Sequence, residues 1–143
     1  MEQVNKIDWE KMDGLIPVIT QDATTNEVLM LAYMNKEALE LTIKTNYAHY
    51  YSRSKQRLWK KGESSNHLQE IVNILVDCDN DTILLKVNQE GVACHTGRKS
   101  CFFTDLNTNE TICDVQIDTS SAYGVIDTLY HTILEKKNDD PSK

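Results

Sequence analysis

Three stretches of the chain gather side chains that do little for a core and a good deal for chemistry. In Asp77-Cys78-Asp79-Asn80-Asp81 three carboxylates sit at alternate positions. Carboxylates that close disfavour one another's ionisation unless positive charge sits among them. A hard divalent cation, Mg²⁺ or Ca²⁺, meets that need, and a solvated acidic turn is the plain alternative. An EF-hand loop would need Gly at its sixth position and Glu at its twelfth. This chain has Thr82 and Asn88 there, so that reading fails. An aspartyl-phosphate phosphatase also runs an apolar strand into DxD, but on a longer α/β chain.

The second stretch is the cysteine set. Cys78 lies inside the acidic turn, and Cys94 and Cys101 flank His95-Thr96-Gly97-Arg98-Lys99-Ser100. Thiolates bind zinc well, and three of them leave one tetrahedral position for water. The spacing is not CxxC, and a cysteine taken singly is most often a small buried apolar residue. Company is what points to a metal: Cys94 adjoins His95, and Cys78 sits between carboxylates. Cys113 has no such neighbours and reads as structural, in a strand over Thr111 to Val115. The third stretch is basic and hydroxyl-rich, from Ser52 and Arg53 to Arg57, then Lys60 and Lys61 to Ser65. Guanidinium forks, hydroxyls and backbone N–H groups near Gly62 suit phosphates; a solvated loop is the alternative. Trp59 reads as a core anchor.

Several elements must position these groups. Leu15–Thr20 and Val28–Met34 are apolar runs joined by the polar turn QDATTNE, a hairpin pattern. Asn35 caps an expected helix through about Thr45, with Ala38, Leu39 and Thr42 or Ile43 on one face. Tyr47–Ser52 and Leu58–Trp59 read as extended. Ile71–Val76, a nearly continuous apolar run, predicts a buried strand that breaks into the acidic turn, with Thr82–Val87 returning from it. Another strand is expected from Cys101 to Thr104. Ala122, Val125, Ile126, Leu129, Tyr130, Ile133 and Leu134 recur at helical spacing behind capping residues Asp118 to Ser121, predicting an amphipathic helix. The expected class is α+β, rich in strands.

The 143 residues fit one domain, with 40% hydrophobic and 26% charged residues. A net charge of −7 argues against nucleic-acid or anionic-membrane partners, which call for a basic face. The polar N-terminus lacks the pattern of a secretory signal, and no apolar run is long enough to span a bilayer. A cytoplasmic location is therefore expected, where clustered cysteines more often bind metal than form disulfides.

The succession YSRSKQRLWKKGESS, an apolar strand into DCDND, then CHTGRKSCF resembles the phosphoribosyl-AMP cyclohydrolases. The likeness runs from about Leu15 to Phe103, and its motifs are specific in combination. It implies a strand-rich pseudo-barrel with helical cover and an intertwined homodimer whose zinc site is shared between subunits. By the same resemblance Cys78, Cys94 and Cys101 would bind Zn²⁺, and Asp77, Asp79 and Asp81 would bind Mg²⁺. Ser52, Arg53, Lys61, Gly62, Glu63, Ser64 and Ser65 would hold the small-molecule substrate. The implied reaction is hydrolytic opening of the adenine ring of phosphoribosyl-AMP at N1–C6 by zinc-activated water, a step of histidine biosynthesis. His95 would move the proton, since it adjoins a ligand; a purely orienting role is its alternative.

One departure is Asn66, where the family's GETSGH-type string carries Gly. Asn is the non-glycine residue best suited to left-handed backbone. The expected division is an N-terminal segment 1–14, a cyclohydrolase domain 15–104, an extension with the helix 105–136, and a tail 137–143. That extension is too short for the pyrophosphohydrolase domain fused behind some relatives, so a monofunctional form is expected. Two rivals come from other classes: a non-catalytic domain with structural zinc, and a thiol hydrolase with Cys94 as nucleophile and His95 as base.

Overall fold

The computed structural model describes residues 2–116. The expected terminal helix and tail lie outside the described residues. A short 3₁₀ turn, Gln3–Lys6, precedes strands β1 (Ile16–Asp22) and β2 (Val28–Met34). Helix α1 (Lys36–Thr45) follows, then β3 (His49–Ser52), β4 (Arg57–Lys60), β5 (Gln69–Val76) and β6 (Ile83–Gln89). The result is a strand-rich α+β chain. Among the described residues no helix is long and apolar enough to cross a membrane.

The first hairpin forms as its pattern predicts. β1 and β2 pair antiparallel from Ile16↔Met34 to Gln21↔Val28, with an irregularity at Thr20/Gln21. The turn holds because Asp22 Oδ1 accepts from the backbone N–H groups of Thr24 and Thr25, at 2.8 and 3.0 Å. The helix also starts where its cap requires. Asn35 Oδ1 accepts from the Ala38 N–H at 2.8 Å, and left-handed Asn46 (φ 68°) ends it. α1 buries Ala38, Leu39 and Thr42.

The main sheet has the order β2-β1-β6-β5. β6 runs parallel to β1, from Val18↔Ile83 to Asp22↔Val87, and antiparallel to β5. β3 and β4 form a separate antiparallel ribbon that packs on β2. Residues just before that ribbon pair with β5: Ala48 N–H donates to Gln69 O at 3.0 Å, and Ile71 N–H to Asn46 O at 2.9 Å. The ribbon thus links the two edge strands of the sheet. Inside lie Ile16, Val18, Leu29, Met34, Ile83 and Leu85. Tyr50 and Trp59 join them with ring centroids 5.1 Å apart, so Trp59 is the core anchor its sequence context implies.

Two expectations need correction. Among the described residues Ile71–Val76 is not a buried strand: it belongs to edge strand β5, with Val72, Leu75 and Val76 exposed at 48, 47 and 43%. A continuous apolar run signals cover on both faces, but it does not say that the same chain supplies the cover. An open groove of about 480 Å³ borders this strand, with Leu39, Ile43, Ile71, Ile74 and Val76 on its walls. Likewise Cys101–Thr104 is not a strand; Thr104 makes one isolated bridge to Thr111. Cys101 instead spends its N–H on the Leu29 carbonyl, at 2.7 Å, which straps the segment across β2.

Candidate metal and substrate site

The acidic turn closes β5 onto β6. The Asp77 N–H donates to Thr82 O (3.0 Å), and its Oδ1 accepts from the Asp81 and Thr82 N–H groups. Asn80 takes the left-handed position (φ 64°) that such a turn needs. These bonds hold Asp77, Asp79 and Asp81 with their ligand oxygens all within 4.8 Å of one another. Three hard oxygen donors, two of them on exposed residues, suit a divalent cation that keeps part of its hydration shell. Lys11 reaches this cluster, 3.0 Å from Asp81 and 3.2 Å from Asp79. The lysine beside it holds the Asp81 carboxyl below its ordinary value, and the two acids hold Lys11 above its own. Nothing in the sequence pairs Lys11 with residues so far along the chain.

A second cluster forms where the chain leaves β6. Ala93 N–H donates to Lys99 O, Cys94 N–H to Arg98 O, and Gly97 N–H to Cys94 O, each at 3.0–3.1 Å. This closes a tight loop whose foot is pinned to β2 by the Ser100 hydroxyl, donating to Val28 O at 2.8 Å. The closure places Cys101 near enough to act on the Cys94 thiol. Cys101 pulls the Cys94 thiol down to about 5 against the opposing effect of burial, with help from Thr96. Its Sγ lies 3.1 Å from Thr96 Oγ1. A thiol lowered in this way favours the thiolate, the form in which cysteine ligates metal. His95, next to it, is exposed.

Cys78 does not join this pair. It is exposed in the acidic turn, and within one copy of the described residues the three cysteines form no metal-holding group. Two thiols are half of a zinc set, so the pair fits zinc only with donors from elsewhere. Cys113 is partly buried and lies between the isolated bridges of Thr111 and Val115, outside any regular strand.

The basic stretch reaches the thiol loop through Lys61. Glu63 accepts from the Lys60 N–H (3.1 Å) and the Arg57 guanidinium (2.8 Å), which fixes the loop after β4. Gly62 sits at φ 87°, and a Cβ there would lie 2.7 Å from the His67 carbonyl carbon, so glycine is required. Asn66 adopts φ 70°, the left-handed geometry its type allows. Ser64 and Ser65 are exposed, as is Arg53, whose guanidinium lies 4.1 Å from the Tyr33 ring centroid. Ser52 is buried and its Oγ accepts from the Lys55 N–H at 3.2 Å. Lys61 is only 4% exposed and donates to the Ala93 carbonyl at 2.7 Å, so it braces the thiol loop.

Sequence reasoning missed two supports of the thiol loop. Lys99 bridges to Asp22 at 3.0 Å and to Glu27 at 3.4 Å, which ties the loop to the first hairpin. Burial pushes the Asp22 carboxyl up, but the Thr25 and Thr24 N–H groups and Lys99 outweigh it, and the net shift is downward. Beneath the loop runs a buried polar chain. Tyr50 donates to Gln69 Oε1 at 2.6 Å, so the Thr20 hydroxyl, 2.7 Å away, donates to Tyr50. Gln69 Nε2 in turn donates to Gln89 Oε1 at 2.8 Å. Polar residues on inward strand positions were the signal available for it.

The chain is similar to known proteins. A family model described as phosphoribosyl-AMP cyclohydrolase matches residues 30–103. A histidine biosynthesis bifunctional protein of Wolinella succinogenes is 58% identical over 137 residues, or 94% of this chain and 59% of its own length. The chain thus spans about three-fifths of that relative, and the same share of a bifunctional relative from Helicobacter hepaticus. A phosphoribosyl-AMP cyclohydrolase of Methanococcoides burtonii is 52% identical over 119 residues, 82% of this chain and 98% of the relative. The match of residues 30–103, which takes in the acidic turn and both loop thiols, together with that near-complete coverage, shows that the chain belongs to the phosphoribosyl-AMP cyclohydrolase family.

Proposed function

We propose that this chain hydrolyses the N1–C6 bond of 1-(5-phosphoribosyl)-AMP, opening the adenine ring in histidine biosynthesis in the cytoplasm. The observation that carries the reading is the Cys94–Cys101 pair, a preformed half of a thiolate metal site inside the family-matched segment. Cys94 and Cys101 of one copy, with Cys78 of a second copy, would hold Zn²⁺ and leave a position for water. Bound zinc supplies a Lewis acid that lowers the pKa of a coordinated water toward neutrality. Asp77, Asp79 and Asp81 would hold Mg²⁺, whose charge suits a phosphate or hydroxyl of the substrate.

This chain's own groups do the rest. The ribosyl phosphate on N1 leaves the ring electron-poor, so C6 is the electrophile. When the N1–C6 bond breaks, a proton must reach the departing nitrogen. His95 is exposed beside Cys94 and carries that proton. Arg53, Ser64 and Ser65 face solvent and can meet phosphate oxygens, with Gly62 offering backbone approach. Glu63 and Ser52 shape the loop, and Lys61 places a positive charge behind the thiol loop.

A homodimer accounts for two features together: Cys78 is exposed, and β5 beside it presents Val72, Leu75 and Val76 uncovered. An exposed apolar edge strand calls for a partner. Intertwining of two copies there would complete the thiolate set, and the β3–β4 ribbon linking the sheet edges supports a pseudo-barrel.

The test is ultraviolet absorbance of the protein with phosphoribosyl-AMP, before chelation, after it, and after Zn²⁺ and Mg²⁺ are restored. A ring-opening spectral change that chelation removes and metal returns is the expected result. Cys94→Ala should lose both zinc and turnover. Absence of any change in every metal condition would overturn the proposal.

A further inference from the structure

The first fourteen residues have no part in the chemistry above, yet they are built onto the acidic turn. Val4 is fully buried in the core, and the Trp9 indole N–H donates to its carbonyl at 3.0 Å. The Asp8 N–H then donates to Asn80 O, inside the acidic turn itself, at 2.8 Å. The Lys11 N–H donates to Asp8 Oδ1 at 3.2 Å, which turns the lysine back toward that contact. The segment is therefore fixed at its apolar end and joined to the turn by its backbone. At the close of this frame the Lys11 ammonium lies 3.0 Å from Asp81 Oδ2 and 3.2 Å from Asp79 Oδ2. Those carboxylates are two of the three whose oxygens gather within 4.8 Å.

We propose that Lys11 is a built-in counter-ion of the acidic turn, competing with the divalent cation for Asp79 and Asp81. This rests on the reading of Asp77, Asp79 and Asp81 as the cation site. The reasoning is geometric and electrostatic. Oxygen ligands approach Mg²⁺ or Mn²⁺ at roughly 2.1 Å, so a cation ligated by Asp79 and Asp81 takes the side of those oxygens that the ammonium faces. Like charges at that range repel, so entry of the cation and departure of Lys11 are one event. Until then the ammonium offsets the mutual repulsion of the acids, which keeps the turn formed. The lysine also sets a threshold. A divalent ion can displace it by direct coordination, whereas a monovalent ion gains little by the exchange. Metal occupancy is then communicated to residues 3–14, because the side chain that lets go belongs to them.

Mn²⁺ serves as the probe, titrated into the full chain while free Mn²⁺ is followed by its electron paramagnetic resonance signal. Wild type is compared with Lys11→Met, Lys11→Arg and Lys6→Met. Lys6 lies in the same segment and makes no ion pair with the acids among the described residues, so it controls for net charge. Lys11→Met should bind Mn²⁺ roughly three- to tenfold more tightly, the scale of an exposed charge contact. Lys11→Arg should stay near wild type, and Lys6→Met should change by less than about twofold. Saturating Mn²⁺ should also raise labelling of Lys11 by an amine-reactive acylating reagent, read by peptide mass spectrometry. Equal Mn²⁺ affinity in wild type and Lys11→Met, or an equal gain in Lys6→Met, overturns the role of Lys11 while leaving the cation site standing. Lys11 labelling that Mn²⁺ does not alter overturns it as well. If neither wild type nor Lys11→Met takes up Mn²⁺, the cation-site reading fails and the competition fails with it.

Discussion

Changing Tyr50 to Phe removes one oxygen from a fully buried ring and leaves the ring's shape intact. Two hydrogen bonds go with it, to Thr20 at 2.7 Å and to Gln69 at 2.6 Å. Each such bond contributes about 1 kcal/mol net, and a buried polar group left without a partner costs about 1–3 kcal/mol. Gln69 Oε1 and the Thr20 hydroxyl are the groups stranded, since both residues are fully buried and the Gln69 amide nitrogen is already engaged by Gln89. The expected loss is therefore about 2–3 kcal/mol. For a chain of this size that lowers Tm by roughly 7–10 °C. Urea unfolding followed by circular dichroism measures it, at one fixed protein concentration because an oligomer's stability depends on concentration. Pairing the change with Gln69→Leu removes the stranded acceptor, so the double variant should lose less than the sum of the two single losses. A Tyr50→Phe protein within about 0.5 kcal/mol of wild type would refute the argument, since the polar chain would then carry no stability.

Three further outcomes are expected. His95→Asn should keep its zinc and lose on the order of a hundredfold in kcat; an unchanged kcat would make His95 a bystander. In chelator-treated protein with Cys78 and Cys113 replaced by Ser, ultraviolet thiolate absorbance should show a transition at about 5 that vanishes with Cys94→Ser. A depressed thiol stabilises the fold above the ordinary thiol pKa of about 8.5, and that contribution is lost as pH falls toward about 5. Asp22, held below the ordinary carboxylate value, contributes stability that is present above that value and lost as pH falls through its lowered one. Acid-unfolding curves of Asp22→Asn should therefore converge on wild type at low pH and separate from it near neutrality.

Local signals read best. The Asn35 cap, the apolar face of Ala38, Leu39 and Thr42, and the QDATTNE turn each rest on residues a few positions apart, and the structure forms them as expected. The acidic turn was legible for the same reason. What could not be read depends on which distant surface covers a segment. The run Ile71–Val76 has the letters of a doubly buried strand and becomes an edge strand, because burial is a property of neighbours that periodicity cannot name. Cys101–Thr104 looked extended, but Ser100 and Cys101 spend their donors on β2 carbonyls. Lys61 sits in a stretch that reads as phosphate-binding, and its ammonium is buried against the Ala93 carbonyl. The thiol pair was legible from its polar company and from family resemblance; the bridge from Lys99 to Asp22 and the reach of Lys11 were not legible at all.

The place of β6 also has a consequence for the order in which this chain folds. β6 lies between β1 and β5, and its pairing with β1 joins residues such as Val18 and Ile83 that are far apart in sequence. Closing so long a loop is entropically slow, whereas hairpins such as β1–β2 and β5–β6 close locally. The acidic turn belongs to the fast β5–β6 hairpin, while the thiol loop is strapped to β2 and needs the slow closure. The two clusters therefore form at different times. Refolding should regain an acidic turn able to take a cation before it regains the low-pKa thiol pair.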